Sequence, residues 1–251
     1  MNNLWGIVRQ SLFALFYPIK KKDCGITISG LSKNSLGSNL KQKIIEHIHY
    51  IRCREHNVTA ECVTHYLGNY SFKPLKGLIW RAKFHHCPSS QAFLAELLSD
   101  ELIGMWSDRP DTYICMGGVR PSVIYVPSTT LALQNNLSKS GSFSQKDHMR
   151  SIREKLVVLI SPFVTQSDHS DLLRISPRWI DRNESIENKK LSREGRVHGS
   201  LEKFECDKHA TESGSIILID DILTTGATIK DACRALKAIG VTHIYSIVLA
   251  H

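Results

Sequence analysis

Several things are missing from this 251-residue chain, and each absence narrows its class. No apolar run approaches the ~18 residues that a membrane-spanning helix needs, which argues against an integral membrane protein. There is no Gly-x-x-x-x-Gly-Lys-Ser/Thr segment, so a Walker-type phosphate loop is excluded. The seven cysteines (24, 53, 62, 87, 115, 206 and 233) are odd in number, scattered, and never spaced Cys-x-x-Cys. That pattern predicts free thiols in a reducing compartment rather than a disulfide framework, with the cytoplasm as the expected location. No internal repeat is present. The apolar stretch at residues 4–16 has neither basic residues before it nor a small-residue cleavage site after it, so it does not read as a secretory signal.

What is present is most informative between Ile216 and Thr228, which reads Ile-Ile-Leu-Ile-Asp-Asp-Ile-Leu-Thr-Thr-Gly-Ala-Thr. Four branched apolar residues in a row predict a strand buried on both faces, as in a parallel sheet. Asp220 and Asp221 follow where that strand would emerge, at the carboxyl edge where open α/β sheets bind ligands. Thr224, Thr225, Gly226, Ala227 and Thr228 form a short loop. A helical pattern over Ile229–Ile239 and a further strand over Val241–Ala250 complete a βαβ unit. A helix N-terminus attracts phosphate through its unpaired N–H groups and partial positive charge. Gly226 permits close backbone approach, and the threonines add hydroxyl donors. The carboxylates would repel phosphate, but each accepts hydrogen bonds from sugar hydroxyls. The constellation therefore predicts a ribose 5-phosphate ligand, with hydroxyls toward Asp220 and Asp221 and phosphate in the loop.

The net charge of +8 is unevenly placed: residues 1–74 hold ten Lys/Arg against four Asp/Glu. A basic N-terminal third suits nucleic acid, anionic lipid or phosphorylated ligands, and equally suits simple solubility. Leu4, Val8, Leu12 and Phe16 lie on one helical stripe that Pro18 and Lys20–Lys22 terminate. Such a stripe either packs on its own protein or lies on a membrane surface. Lys41–Arg54 reads as a helix. His47, His49, Cys53, His56, Cys62 and His65 are zinc-ligand types, but their spacing fits no standard closed site, which favours incidental histidines. Helices are predicted at 78–84, 92–105 and 144–160, and a buried strand at Ser122–Val126. Leu131–Ser144 reads as flexible and Thr165–Ser200 as irregular and charged.

The Asp220–Thr228 segment resembles the 5-phosphoribosyl-1-pyrophosphate (PRPP) binding motif of type I phosphoribosyltransferases. Further segments resemble the ComF/GntX group of competence-type phosphoribosyltransferase proteins: Leu12–Pro18 with Cys24-Gly25, Tyr70–Ile79, Lys83-Phe84, the Leu94–Leu102 helix, Val126-Pro127, Phe143-Ser144-Gln145, and Leu191-Ser192-Arg193 with Arg196 and Phe204. The chain departs from that group in lacking its paired Cys-x-x-Cys motifs and in carrying Gly141-Ser142 where the group has Arg-Gly.

The resemblance implies an α/β fold: a type I phosphoribosyltransferase-like parallel sheet flanked by helices, with a small, mostly helical N-terminal region. It divides the chain into an N-terminal region at 1–74, an apolar helix plus a degenerate zinc-module-like segment, and a phosphoribosyltransferase-like domain at 75–251. It implies transfer of a phosphoribosyl group from PRPP to an acceptor that no motif identifies. Magnesium would be carried mainly on the diphosphate, and zinc is not expected. Asp220 and Asp221 would be catalytic, residues 224–228 would hold phosphate, and Pro127, Ser128 and Thr129 would meet pyrophosphate. The alternative is a non-catalytic PRPP- or nucleotide-binding accessory protein of DNA uptake, touching single-stranded DNA or a helicase partner through the basic third.

Overall fold

In a computed structural model, residues 38–50, 55–59, 62–108, 120–128, 147–165, 169, 171–184, 203–206 and 214–251 are described. The stripe at 4–16, the Cys24-Gly25 opening, Lys20–Lys22, Cys53, Thr129, the 131–144 segment and the 191–196 motif lie outside them. So do the resemblances at Gly141–Gln145. Among the described residues no helix is long and apolar enough to cross a membrane.

The predicted buried strand at Ile216 is an interior strand of the main sheet. Strand β6 (Ser215–Ile222) pairs in parallel with β7 (His243–Ala250) on one side and with β3 (Ser122–Tyr125) on the other. Beyond β7 lies β2 (Cys62–Gly68), also parallel, and then β1 (Glu55–Thr59), antiparallel to β2. The five-stranded order is β1-β2-β7-β6-β3, so four neighbouring strands run parallel. A separate two-stranded antiparallel sheet joins β4 (Leu173–Ile175) to β5 (Phe204–Cys206).

The helices are α1 (Ser38–Tyr50), α2 (Lys73–Phe84), α3 (Pro88–Asp108), α4 (His148–Leu159), α5 (Pro177–Glu184) and α6 (Ala227–Lys237). Side chains of a strand alternate between faces, and here both faces are dry. Ile216 and Leu218 join Ile124, Val126 and Val248 in one cluster with Phe204, Ile229, Ala232 and Leu236. That cluster belongs to the face carrying α6, β4 and β5. Ile217 and Ile219 have the opposite parity and are 0 % exposed. Their face is covered by α2, α3 and α4. The expected α/β arrangement, a parallel sheet between helices, is what the chain forms.

Element ends moved for identifiable reasons. Helix α2 starts at Lys73 rather than 78, because Pro74 suits the first helical turn. Asp147 caps α4, its side chain accepting from Met149 N, so that helix starts at 148 rather than 144. The stretch expected to be irregular contains β4 and α5. The described part of the N-terminal region is helix α1 plus the β1–β2 hairpin, and β2 is built into the main sheet through β7. His56, Cys62 and His65 are therefore strand residues, and His47 stacks on Phe72 with ring centroids 3.8 Å apart. Among the described residues no group of three His, Cys, Asp or Glu is placed to hold a metal.

Candidate active site

Asp220 and Asp221 are the sixth and seventh residues of β6, at its carboxyl end. They are adjacent in sequence, so the pleat sends them to opposite faces. Asp220 shares the parity of Ile216 and Leu218 and goes to the α6/β5 side; Asp221 goes to the α2/α4 side. The two carboxylates consequently meet different company.

Asp221 meets two cationic side-chain types. Lys83 Nζ, on the last turn of α2, donates to its Oδ2 at 2.5 Å. His148 Nε2, from the first residue of α4, lies 3.3 Å from the same oxygen, off the angle of a hydrogen bond. Ile222 N donates to its Oδ1 at 2.7 Å. Burial pushes the Asp221 carboxyl up, but His148 and Lys83 outweigh burial and hold it well below the usual carboxylate range. Asp220 is only 9 % exposed. Burial and the neighbouring Asp221 charge push it well above that range, against hydrogen bonding from Asp221 N and the more distant positive charges of Lys203 and Lys83. One carboxylate of the pair is thus held ionised, while its neighbour favours the protonated form.

Both flanking loops close on this point. Val126 N donates to Ile219 O at 2.9 Å, which puts the chain leaving β3 beside the acidic pair. Pro127 has no N–H, and Ser128 N donates to Asp147 Oδ2 at 2.8 Å. Residues 127 and 128, expected to meet pyrophosphate, follow directly on Val126, and their backbone offers no uncommitted donor. On the other side, Leu223 N donates to Ala250 O, ending the strand pairing. Thr224 and Thr225 are exposed, and Gly226 is buried in the left-handed region at φ 74°. Gly226 is the N-cap of α6 and brings no side-chain cap. Thr225 Oγ1 makes only a long 3.4 Å contact with Ala227 N. The first turn of α6, with half-buried Ala227 and Thr228, therefore begins with N–H groups that no side chain among the described residues caps at short range.

The sheet face opposite Lys83 supplies a second lysine. Lys203, just before β5, is half-buried, with Nζ 5.6 Å from the Trp179 ring centroid and 5.1 Å from that of Phe204. Burial lowers its pKa, against the attraction of Asp220 and Asp231. Sequence reasoning placed Asp220, Asp221 and residues 224–228 at one edge of the sheet, and the structure does so. It missed His148, Asp147 and Lys203. Asp147 had a readable signal, an Asp immediately before a helical pattern. His148 and Lys203 had none, because their proximity to the acidic pair arises from tertiary packing.

Residues 184–251, from the last residue of α5 to His251, match the phosphoribosyl transferase domain. The match takes in β6, the acidic pair, the Gly226 loop, α6 and β7. No curated protein matches the chain.

Proposed function

We propose that this protein binds PRPP at the carboxyl edge of β6 and transfers its phosphoribosyl group to an acceptor. The observation that carries this reading is one juxtaposition. Two carboxylates and a helix N-terminus capped only by glycine stand within seven residues, inside the stretch that matches a phosphoribosyl transferase domain. In this reading the 5-phosphate sits on the first turn of α6, where N–H groups and the helix dipole favour an anion. The ribose hydroxyls donate to Asp220 and Asp221. The diphosphate lies toward the end of β3 and the N-terminus of α4. Holding the ribose between two fixed ends aligns its anomeric carbon for an incoming nucleophile. The ionised Asp221 carboxylate stabilises positive charge that develops on the ring.

Magnesium fits this site as an ion carried on the diphosphate. Both Asp221 oxygens accept hydrogen bonds, and Asp220 Oδ1 accepts one from Asp221 N at 2.8 Å. That leaves Asp220 Oδ2 as the carboxyl oxygen with no hydrogen bond from the described residues; a magnesium ion there would displace the proton that burial favours, with phosphates and water as its other ligands. When bound, it would supply charge neutralisation to the leaving diphosphate. Kinship with the ComF/GntX group within the phosphoribosyltransferases is part of the same reading and rests on the segments quoted above.

Pyrophosphate release from PRPP in the presence of magnesium and a panel of bases and amines tests the activity. Release that depends on one acceptor class supports transfer. Release with none of them, despite PRPP binding, would leave a binding protein and remove the enzyme.

A further inference from the structure

Lys83 occupies an unusual position for a residue 138 places away from its partner. It stands on the last turn of α2, a helix whose buried face (Leu75, Leu78, Ile79 and Ala82) is fixed against the rest of the fold. Its side chain is 34 % exposed, while the carboxylate it touches is 14 % exposed. The ammonium therefore stands at the solvent side of the acidic pair. A lysine stem has four rotatable bonds and an ammonium that bonds in any direction, so it can exchange one anion for another over a few ångströms.

The surroundings say which anion that would be. A diphosphate next to Asp221 needs positive charge or donors. Pro127 supplies no N–H, and Ser128 N is committed to Asp147. Arg153, the buried arginine of α4, spends its Nε on Val123 O at 2.9 Å and is 6 % exposed, so it is part of the scaffold. His148 is 4 % exposed and packed at the α4 N-terminus. Among the described residues on this face, Lys83 is the cation that touches the acidic pair and also reaches solvent.

We propose that Lys83 is the diphosphate-binding cation of this site, parked on Asp221 in the free chain and transferred to a phosphate oxygen when ligand enters. His148, with Nε2 3.3 Å from the same oxygen, remains beside Asp221 after the lysine has left. The assignment rests on the PRPP reading above and adds a substrate-touching residue from α2, an element that lies outside the matched domain.

The test uses the full chain and three ligands in magnesium: pyrophosphate, PRPP and ribose 5-phosphate. Calorimetric affinities are compared for the wild type, Lys83→Ala and Lys83→Arg. Charge-assisted hydrogen bonds of this kind correspond to roughly a tenfold to hundredfold change in affinity. Lys83→Ala should lose that much for pyrophosphate and PRPP, hold ribose 5-phosphate within about threefold, and be partly rescued by Lys83→Arg. Equal losses for all three ligands, or undiminished pyrophosphate binding in Lys83→Ala, would overturn the assignment. A wild-type chain that binds ribose 5-phosphate but not pyrophosphate would overturn it too, leaving the α6 phosphate cradle standing. A wild type that binds none of the three removes the cradle and the lysine together.

Discussion

Asp147 and Ser128 are joined by a 2.8 Å hydrogen bond from the Ser128 N–H to Asp147 Oδ2, while Asp147 Oδ1 accepts from Met149 N at 3.0 Å. One carboxylate therefore caps α4 and anchors the loop leaving β3. Asp147→Ala should lose about 1 kcal/mol of stability from the missing cap, measured by urea unfolding. It should also weaken pyrophosphate binding, because the loop and His148 are released together. Asp147→Asn keeps a side-chain acceptor and should retain most of the stability. If Asp147→Ala unfolds at the wild-type urea midpoint, the anchor is not structural.

Gly226 is held by its backbone and by its neighbour. Its φ is 74°, and a β-carbon there would stand 3.1 Å from Val58 Cγ2 on β1. The position a side chain would fill points at the hairpin. Gly226→Ala should cost about 1–2 kcal/mol from the left-handed backbone, with crowding added. Val58→Ala should relieve the crowding part only, so the double mutant should be more stable than the two single effects sum to. Strict additivity in chemical denaturation would show that Val58 is not the obstacle.

The acidic pair makes stability depend on pH in two opposite senses. Asp220, raised in the folded state, favours folding while protonated; that contribution is lost as pH rises from the unfolded carboxylate range through its higher folded value. Asp221, depressed in the folded state, contributes above the unfolded carboxylate range; that contribution is lost as pH falls toward its lower folded value. Asp220→Asn removes the cost of ionising a buried acid, so it should be more stable than wild type above the carboxylate range. The gap should widen with pH by at most about 1.4 kcal/mol per unit. Asp221→Asn should instead be less stable at neutral pH, because it strands Lys83 and His148. Thermal unfolding across pH checks both signs, and a destabilised Asp220→Asn at neutral pH would contradict the account.

Cys87 precedes α3, with Sγ 3.2 Å from Ser89 Oγ. Partial burial pushes its thiol up, but hydrogen bonds with Ser89 and Ser90 and the Arg81 charge outweigh this, lowering it to about 7. Burial pushes Cys206 up to about 12, and Cys233 is buried. Alkylation followed by peptide mass spectrometry should label Cys87 well before the other two, with a rate that rises through pH 7. Equal labelling of Cys87 and Cys206 would mean that the local hydrogen bonds do not stabilise a thiolate.

The parts legible in the sequence were those encoded locally. Ile216–Ile219 announced a strand buried on both faces, and Asp220 through Thr228 announced the site, because strand, acid pair, loop and helix are contiguous. The β1–β2 hairpin was not legible: its residues mix His, Asn, Thr and Cys, and its place is set by pairing with β7, almost two hundred residues away. Lys83 showed only as part of a resemblance. Its contact with Asp221 requires α2 and β6 to meet, and no local period encodes that. The division of the acidic pair into one ionised and one protonation-prone carboxylate follows from the pleat. It could have been anticipated from parity, but the identity of the cations on each face could not.

The most direct test of the central claim is a calorimetric titration of PRPP with magnesium into the full chain, in parallel with its Asp221→Asn variant. The account predicts saturable one-site binding to the wild type. It predicts binding weakened by roughly tenfold to a hundredfold in the variant, the loss expected for charge-assisted hydrogen bonds. Absence of PRPP binding by the folded wild type, or equal affinity in both proteins, would contradict it.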